Sequence, residues 1–125
     1  MATLSVQNLT YATSGGLQYT YAAVASGGDV FANDGKTFLL VKNASGSTRT
    51  VTADAVASLD KPGFGTVPIA DSVLTVPGSG TNGGLTMWGP FPPDRFNDSN
   101  GRVSLTYSDS GADLTIAVVR IPSYA

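Results

Sequence analysis

Apolar and polar positions alternate over short runs along most of the chain. The alternation is clearest in "TRTVTA" at 48–53 and "RVSLTYS" at 102–108, whereas "KTFLLVKN" at 36–43 is apolar on both faces and "LTIAVVRI" at 114–121 is the strongest apolar run. Alternation with a period of two is typical of a strand that packs one face on a core. Clusters of Gly, Asn, Asp and Pro separate the runs, as turns do. The pattern predicts an all-β, single-domain β-sandwich of about eight strands without a helix, with jelly-roll or related Greek-key topology.

The stretch "NDGKTFLLVKNASGSTRTVTA" at 33–53 has the strongest local pattern. Its turn signals "NDG" and "NASGS" flank the apolar run, so it is predicted to form a β-hairpin. Phe38 and Leu40 lie on one face of the predicted strand, and Leu39 and Val41 on the other. Because both faces are apolar, we expect this strand to be covered on both sides.

Two long segments are predicted to be irregular. "DAVASLDKPGFGT" at 54–66 contains Gly and Pro and reads as a crossing loop. "PFPPDRFNDSNG" at 90–101 has three prolines in its first four positions. Proline lacks a backbone donor and fixes φ, which argues against a regular element there.

The first 14 residues stand apart from the sandwich predicted for 15–125. No turn before Gly15 ties this segment to the strands after it. It is therefore either an edge strand or an N-terminal arm that leaves the domain.

Composition indicates a folded chain with few charges. Hydrophobic residues make up 42% and charged residues 13%, and all nine acidic residues are aspartate. A surface of Ser, Thr, Gly and Asn favours contacts through shape, apolar anchors and backbone hydrogen bonds. The formal charge of −2 and the scattered arginines argue against nucleic-acid binding.

The sequence also lacks the features of a membrane-spanning helix and of a secretory signal. No apolar run approaches the roughly 20 residues of a membrane helix. The opening lacks the basic and apolar regions of a secretory signal. We expect a protein that is synthesised in a cytoplasm and has no membrane partner.

The residue types exclude several kinds of catalytic site. The chain has no histidine, cysteine or glutamate, which rules out Ser-His-Asp and thiolate chemistry. Most of the aspartates stand beside Gly, Asn or Ser, where aspartate caps its own turn. "NDSNG" at 97–101 resembles a calcium loop but lacks the distal glutamate. We predict no enzymatic activity, cofactor or metal.

Aromatic residues offer the best candidate contacts. Trp88, Phe91 and Phe96 in "MWGPFPPDRF" either close the end of the core or, with Arg95, form an exposed surface that docks a partner. Core closure is favoured in so small a domain, and the two interpretations can coexist. The five tyrosines are a weaker indication of a sugar-stacking platform.

Several blocks together resemble a known group of proteins. They are "NDGKTFLLVKN", "TRTVT", "VPIADSVLTVP", "WGPFPPDRFND" with "GRVSLTYS", and "LTIAVVRI", and they span about 28–121. The pattern is similar to small all-β structural proteins encoded among the head genes of tailed bacteriophages, and "GPFPP" is its most specific part. The N-terminal stretch and "GSGTNGGLTMW" depart from it.

The resemblance implies a decoration, or cement, protein that binds the outer capsid surface and stabilises the shell. Its implied partner is the major capsid protein, and its implied location is the exterior of the virion, after synthesis in the bacterial host. Such proteins often form trimers, so a homo-oligomer is expected, with a trimer favoured. The resemblance carries over no catalytic residues.

Two groups of residues are our candidates for partner binding. The proposed arm supplies Met1, Leu4, Val6 and Leu9, and the proposed contact loop supplies Trp88, Phe91, Arg95 and Phe96. Deletion of the arm is then expected to leave the domain folded but to weaken capsid binding. The alternatives are a head–tail connector or tail structural protein, a glycan-binding β-sandwich module, and a glycosidase that uses two aspartates.

Overall fold

The computed structural model describes residues 2–9, 16–56, 58–63, 65–68, 70–108 and 113–122, with the backbone alone at 58–61 and 66–68. Twelve strands lie within these residues. They are β1 (Ala2–Thr3), β2 (Val6–Asn8), β3 (Ala22–Ala23), β4 (Asp29–Ala32), β5 (Thr37–Asn43), β6 (Arg49–Ala53), β7 (Ser58–Lys61), β8 (Gly65–Pro68), β9 (Ser72–Val76), β10 (Leu85–Trp88), β11 (Arg102–Tyr107) and β12 (Leu114–Arg120). A 3₁₀ turn spans Asn82–Gly84 and a short helix, α1, spans Pro93–Phe96.

The strands form two mixed sheets of five strands each and one separate hairpin. Sheet one has the order β1-β4-β11-β6-β9, and sheet two has the order β10-β5-β12-β2. The fifth strand of sheet two, β3, also pairs with β12. The pairs β1–β4 and β2–β12 are parallel, and the other pairs are antiparallel. Strands β7 and β8 pair only with each other among the described residues.

The two sheets pack face to face around one core. Sheet one contributes alternate residues such as Phe31, Val51 and Leu105, and sheet two contributes residues such as Leu39 and Ile116. All five are almost completely buried. This period of two is what the sequence shows in these strands, because successive side chains point to opposite faces. The predicted all-β sandwich is confirmed at this level.

The predicted hairpin at 33–53 is wrong. Strand β5 lies in sheet two and β6 lies in sheet one, so the turn between them crosses from one sheet to the other. Asn43 holds this corner, since its side-chain amide donates to the carbonyls of Ser47 at 2.8 Å and Pro77 at 3.1 Å. A tight turn has similar composition whether it joins two strands of one sheet or two sheets, so composition could not separate these cases.

The outer face of β5 is less covered than its sequence predicted. Leu39 and Val41 are buried in the core, whereas Phe38 and Leu40 are only half-buried. Phe38 and Leu40 point away from the core, to the outer side of sheet two. Tyr19 and Tyr21, from the segment before β3, line a groove with Leu40 there.

Both segments predicted to be irregular contain short regular elements. The β7–β8 hairpin lies within the Gly- and Pro-containing stretch at 54–66 and extends to Pro68. Helix α1 occupies part of the proline segment, and its prolines stand at the start, where a missing backbone donor costs nothing. The described residues contain no helix long and apolar enough to cross a membrane.

Residues 2–9 run along the edges of both sheets of their own chain. The Leu4 backbone N–H donates to the Val30 carbonyl at 2.8 Å in sheet one. The Leu9 backbone N–H donates to the Arg120 carbonyl at 2.8 Å in sheet two. In this structure the segment therefore closes the open side of the sandwich.

Candidate interaction surface

The aromatic residues of the proline segment form one cluster at the end of the core. The rings of Phe91 and Trp88 are 5.0 Å apart between centroids, and Phe91 lies 5.5 Å from both Phe31 and Phe96. Each pair is edge-to-face, a favourable arrangement for aromatic rings. Phe91 is 2% exposed and Phe96 is 4% exposed, while Trp88 is half-buried. Phe91 and Phe96 therefore close the end of the core, as the favoured interpretation of the sequence predicted.

Asn33 fixes the proline segment against the start of β5. Its side-chain amide donates to the Phe91 carbonyl at 2.9 Å and to Asn97 Oδ1 at 2.7 Å. Asn97 donates back to the Asn33 carbonyl at 2.7 Å. Gly35 donates its backbone N–H to Asn33 Oδ1 at 3.0 Å, which closes the turn. The position of the aromatic cluster therefore depends on one buried amide.

Arg95 ties the same segment to its other neighbours. Its guanidinium lies 4.9 Å from the centre of the Phe96 ring, and Nη2 donates to the Ala70 carbonyl at 2.8 Å. Its backbone carbonyl accepts the N–H of Val56 at 2.9 Å. These contacts give Arg95 a structural task within the chain.

The N-terminal candidates also face inward for the most part. Leu4 is 7% exposed and belongs to the same core as Phe91 and Phe96. Val6 packs against that core, and Leu9 is half-buried. Met1 lies outside the described residues. The structure thus brings Leu4, Phe91 and Phe96 together in the interior and not on a common exposed surface.

A more exposed apolar surface lies on the outer side of sheet two. Leu85 is 50% exposed and Met87 is 67% exposed on β10. Met87 is opposite Leu40 on β5, and Leu40 is opposite Ala117 on β12, which is buried, so the exposed part of this apolar row lies on β10 and β5. We call this surface the β10 face and define it by six residues: Tyr19, Tyr21, Phe38, Leu40, Leu85 and Met87.

A shallow groove divides the β10 face. The groove has a volume of about 260 Å³. Its walls are formed by Tyr19 and Tyr21 and by Leu40, Leu85 and Met87. The tyrosine rings are 5.6 Å apart and nearly perpendicular, at 79°. Burial first, and Tyr19 second, raise the pKa of Tyr21 above its usual value of 10.0.

The β10 face has little charge. Lys42, opposite Leu85, is the charged residue at its border in the ladder of β10, β5 and β12. Large exposed apolar side chains that lie side by side are typical of surfaces that contact another molecule. The sequence signal was present in "LTMWG": Leu85 and Met87 share one face while Trp88 faces the core, so both faces of the strand are apolar.

A buried acidic residue lies at the opposite edge of the sandwich. Asp29 is fully buried, and its Oδ2 accepts the Tyr107 hydroxyl at 2.5 Å and the Ala25 N–H at 3.2 Å. Burial and the nearby carboxylate raise the pKa of Tyr107 well above its usual value. Asp29 also lines a cavity of about 470 Å³ beneath the N-terminal segment. The pair fastens the turn before β4.

The two-aspartate glycosidase alternative needs two carboxylates that influence each other, and Asp54 and Asp71 are such a pair. Burial first, and the charge of Asp71 second, raise the pKa of Asp54. Asp71 is exposed, and its Oδ1 already accepts the Ala55 N–H at 2.7 Å. Neither residue lines the cavities beneath the N-terminal segment or on the β10 face. This arrangement gives no observation in favour of hydrolysis.

The remaining described aspartates include turn caps of the kind predicted. Asp98 Oδ1 accepts the backbone N–H groups of Asn100 at 2.8 Å and Arg102 at 3.1 Å, within the segment that resembles a calcium loop. Over the described residues, no three His, Cys, Asp or Glu side chains are grouped closely enough to hold a metal ion.

Comparison of the chain with protein-family models, with curated proteins and with solved structures finds no match.

Proposed function

We propose that this protein is a non-enzymatic bacteriophage structural protein that binds the outer capsid surface and stabilises the shell. The observation that carries the proposal is the exposed apolar β10 face on a rigid sandwich. Leu85 and Met87 are at least half exposed there and lie beside each other on one face, and contiguous exposed apolar side chains are typical of contact surfaces. The sequence blocks that resemble phage head proteins, including "GPFPP", supply the partner class.

The physical properties of the surface suit this role. A decoration protein needs many modest contacts repeated over a lattice, and avidity then multiplies a weak individual affinity. The low charge of the chain makes binding depend on apolar contact and backbone hydrogen bonds, which salt affects little. We therefore assign the capsid contact to the β10 face. Phe91 and Phe96 support it from below as core residues.

The N-terminal arm is a less direct candidate for the capsid contact. Residues 2–9 would have to leave both sheets, and Leu4 would lose its burial. That cost makes the segment a second choice for a capsid contact and leaves the β10 face as the first.

The sheet order favours a jelly-roll topology. Strands β4, β5 and β6 alternate between sheets one and two, and β9, β10 and β11 do the same. The middle members β5 and β10 pair in sheet two, while the outer members β4, β6, β9 and β11 interleave in sheet one. Two runs of strands that alternate between the sheets and pair with each other around one core are typical of a jelly roll, and we therefore propose this topology.

Two alternatives use the same surface differently. A head–tail connector or tail protein would also need an apolar contact face, and copy number per particle separates it from a decoration protein. A glycan-binding module would use Tyr19 and Tyr21. Their perpendicular rings offer no flat platform for a sugar, and the groove between them and β10 has mainly apolar walls. The glycan alternative is therefore disfavoured.

Purified shells that lack the protein provide the test. We expect copies of the wild-type protein to bind at symmetry-related sites across the shell and to raise its resistance to heat. The double variant Leu85→Ser/Met87→Ser should bind much less. The matched control is Val73→Ser, since Val73 is 59% exposed on β9 of the other sheet. Equal binding by the double variant, or binding at a single vertex, would contradict the assignment.

A further inference from the structure

One carboxylate oxygen of Asp29 has no hydrogen-bond partner among the described residues. Asp29 is fully buried, and its Oδ2 accepts the Tyr107 hydroxyl and the Ala25 N–H. Its Oδ1 is also buried, yet no described group donates to it. A buried carboxylate without its hydrogen bonds is costly, and proteins pair such a group with a donor or a cation. Oδ1 therefore indicates a donor that the described residues do not supply.

The Asp29 side chain lies in the wall of a cavity beneath the N-terminal segment. Asp29 and Phe31 are two positions apart on β4, so their side chains share the inner face of sheet one. Asp29 lines the cavity of about 470 Å³ together with Ile116 and Val118 from the inner face of sheet two. Sites for small molecules are typically about 300–1,000 Å³. The unpartnered oxygen thus belongs to a cavity large enough for a small organic ligand.

Small side chains leave this cavity unfilled. Ala2 is beside Asp29 in the β1–β4 pair, and Ala22 is opposite Ile116 in the β3–β12 pair. Neighbouring residues of paired strands share a face of the sheet, so both methyl groups are on the side of the cavity. The two alanines are exposed, whereas Asp29 and Ile116 are buried. The cavity therefore extends from solvent beside the alanines to Asp29.

A single free oxygen restricts the chemistry of a ligand. A guanidinium binds a carboxylate best through both oxygens, and here Oδ2 already accepts two hydrogen bonds. Calcium takes about six to eight oxygen ligands, and Asp29 is the only charged residue among the described residues that line the cavity. A primary ammonium carries a compact charge and three donors. It is the cation that a lone carboxylate oxygen fits best.

The other buried residues of the cavity wall are apolar. They are Leu4, Ile116 and Val118, and a short hydrocarbon chain would contact them. We propose that this cavity binds a primary alkylammonium ion, with an ammonium N–H donated to Asp29 Oδ1 and the alkyl chain packed against these three residues. The site is separate from the capsid contact that we assign to the β10 face, so the inference goes beyond the proposed function.

The probe for this site is n-butylammonium, and 1-butanol is its matched control because the two have nearly the same size and differ in charge. NMR titration of the wild-type protein should show saturable binding of n-butylammonium, with intermolecular NOEs to the methyl groups of Ile116 and Val118. We expect 1-butanol to bind at least roughly tenfold more weakly, since a charged donor makes a stronger hydrogen bond to a carboxylate than a neutral hydroxyl does. Equal affinity for the two probes overturns the inference.

Two variants locate the site. Asp29→Asn keeps the size of the side chain and removes its charge, so it should abolish the preference for n-butylammonium over 1-butanol. Ala22→Leu places a larger side chain in the cavity and leaves Asp29 in place, so it should abolish saturable binding. Ala32→Leu is the matched control, because Ala32 is exposed on β4 and does not line this cavity.

Urea unfolding checks that each variant folds. If Asp29→Asn fails to fold, Ala22→Leu still decides the matter, since Ala22 is exposed and keeps clear of the contact between Asp29 and Tyr107. Binding that survives Ala22→Leu overturns the site, as do NOEs confined to residues outside the cavity. A cavity that holds only solvent gives no saturable binding of n-butylammonium, and that result overturns the inference too.

Shells distinguish two sources of the ammonium group, a free amine and a lysine side chain of a shell subunit. If Ala22→Leu binds shells as well as wild type does, the source is a free amine. If it binds less well, and n-butylammonium also weakens shell binding by wild type, the source is a shell lysine. The inference and the proposed function fail separately: absence of n-butylammonium binding leaves shell binding unaffected, and n-butylammonium binding by a protein that shells do not bind supports the inference alone.

Discussion

The side-chain amide of Asn33 donates a hydrogen bond of 2.9 Å to the backbone carbonyl of Phe91, 58 positions away in the chain. Asn33 lies in the turn that leads out of β4, and Phe91 is the central ring of the aromatic cluster. Because Asn33 also bonds to Asn97, both ends of the segment around α1 are fixed by one residue. A polar side chain thereby positions the apolar end of the core.

Asn33→Ala should lower the free energy of unfolding by about 2–3 kcal/mol, because it removes the side-chain donor to the buried Phe91 carbonyl and to Asn97 Oδ1. Urea unfolding measures the loss, and tryptophan fluorescence should report the altered contact between Trp88 and Phe91. Asn100→Ala is the control, since Asn100 is exposed and only its backbone contributes to the Asp98 turn. Similar stability for the two variants would contradict the role given to Asn33.

Tyr107→Phe tests the buried pair with Asp29. Removal of the hydroxyl takes a hydrogen bond from a fully buried carboxylate, and a loss of about 1.5–3 kcal/mol is expected at neutral pH, as for hydrogen bonds to charged groups.

The pair also predicts a dependence on alkaline pH. The pKa of Tyr107 is higher in the folded state than the usual 10.0, so above that value the unfolded chain loses a proton that the folded chain keeps. Stability due to this group is complete below pH 10 and falls as the pH rises above it. The difference in unfolding free energy between wild type and Tyr107→Phe should therefore narrow above pH 10. A constant difference would show that the hydroxyl does not control the titration.

Asp54→Asn should make the protein slightly more stable at neutral pH. Burial first, and Asp71 second, raise the pKa of Asp54 above 3.8, so its charged form is disfavoured in the fold. Stability due to this group is complete below the unfolded pKa and falls as the pH rises through the folded value. Asn removes the charge, and we expect a gain of less than about 1 kcal/mol because solvent screens the group. The gain should vanish near pH 3, and equal stability at pH 7 would contradict it.

The sequence predicted the class of fold because the longest strands appear as apolar runs bounded by turn residues. In β5 the inward residues Leu39 and Val41 are buried while Phe38 and Leu40 are half-buried, and in β12 the residues 116–119 are all buried. Short strands such as β1, β3 and β7 contain two to four residues, too few for any pattern to appear. That is why the count rose from about eight to twelve. The pairing of strands depends on contacts distant in sequence, so the β5–β6 turn was mistaken for a hairpin.

The candidate site was predicted less well for a related reason. Aromatic and proline residues mark both core ends and docking loops, and in this fold Phe91 and Phe96 are at a core end. The exposure of Met87 depends on β10 being an end strand, which local sequence does not specify. The apolar outward face of β10 was visible in "LTMWG". The sequence did not show, however, which strand would lie at the end of its sheet.

Gly84→Ala should disrupt the start of β10. Gly84 has φ of 74°, and a Cβ placed there would lie 2.0 Å from the Asn43 carbonyl oxygen, which backbone movement alone can relieve. The left-handed conformation and the clash together predict a loss of about 3 kcal/mol or more. Gly80→Ala is the matched control in the same loop, since its Cβ meets nothing within 4 Å. Wild-type stability for Gly84→Ala would mean that β10 begins differently.

Deletion of the N-terminal segment does not by itself test whether residues 1–9 form an arm that contacts another molecule. Leu4 is a core residue, and the segment roofs a cavity of about 470 Å³. Removal of residues 1–9 should therefore destabilise the domain, and Leu4→Ala alone should cost about 2–5 kcal/mol. A better variant is Gln7→Ala, because the Gln7 amide both donates to the Thr20 carbonyl at 2.9 Å and accepts the Thr20 N–H at 2.8 Å, in an exposed setting.

Gln7→Ala should loosen the segment while Leu4 stays buried, with a stability loss of about 1 kcal/mol. If residues 2–9 act only within their own chain, shell binding by Gln7→Ala should equal that of wild type. If they are exchanged between neighbouring molecules, loosening should change binding while the β10 face stays intact. Binding isotherms on shells, measured beside urea unfolding for the same variants, separate the two cases. Unchanged binding together with full stability would show that the Gln7–Thr20 contact does not hold the segment in place.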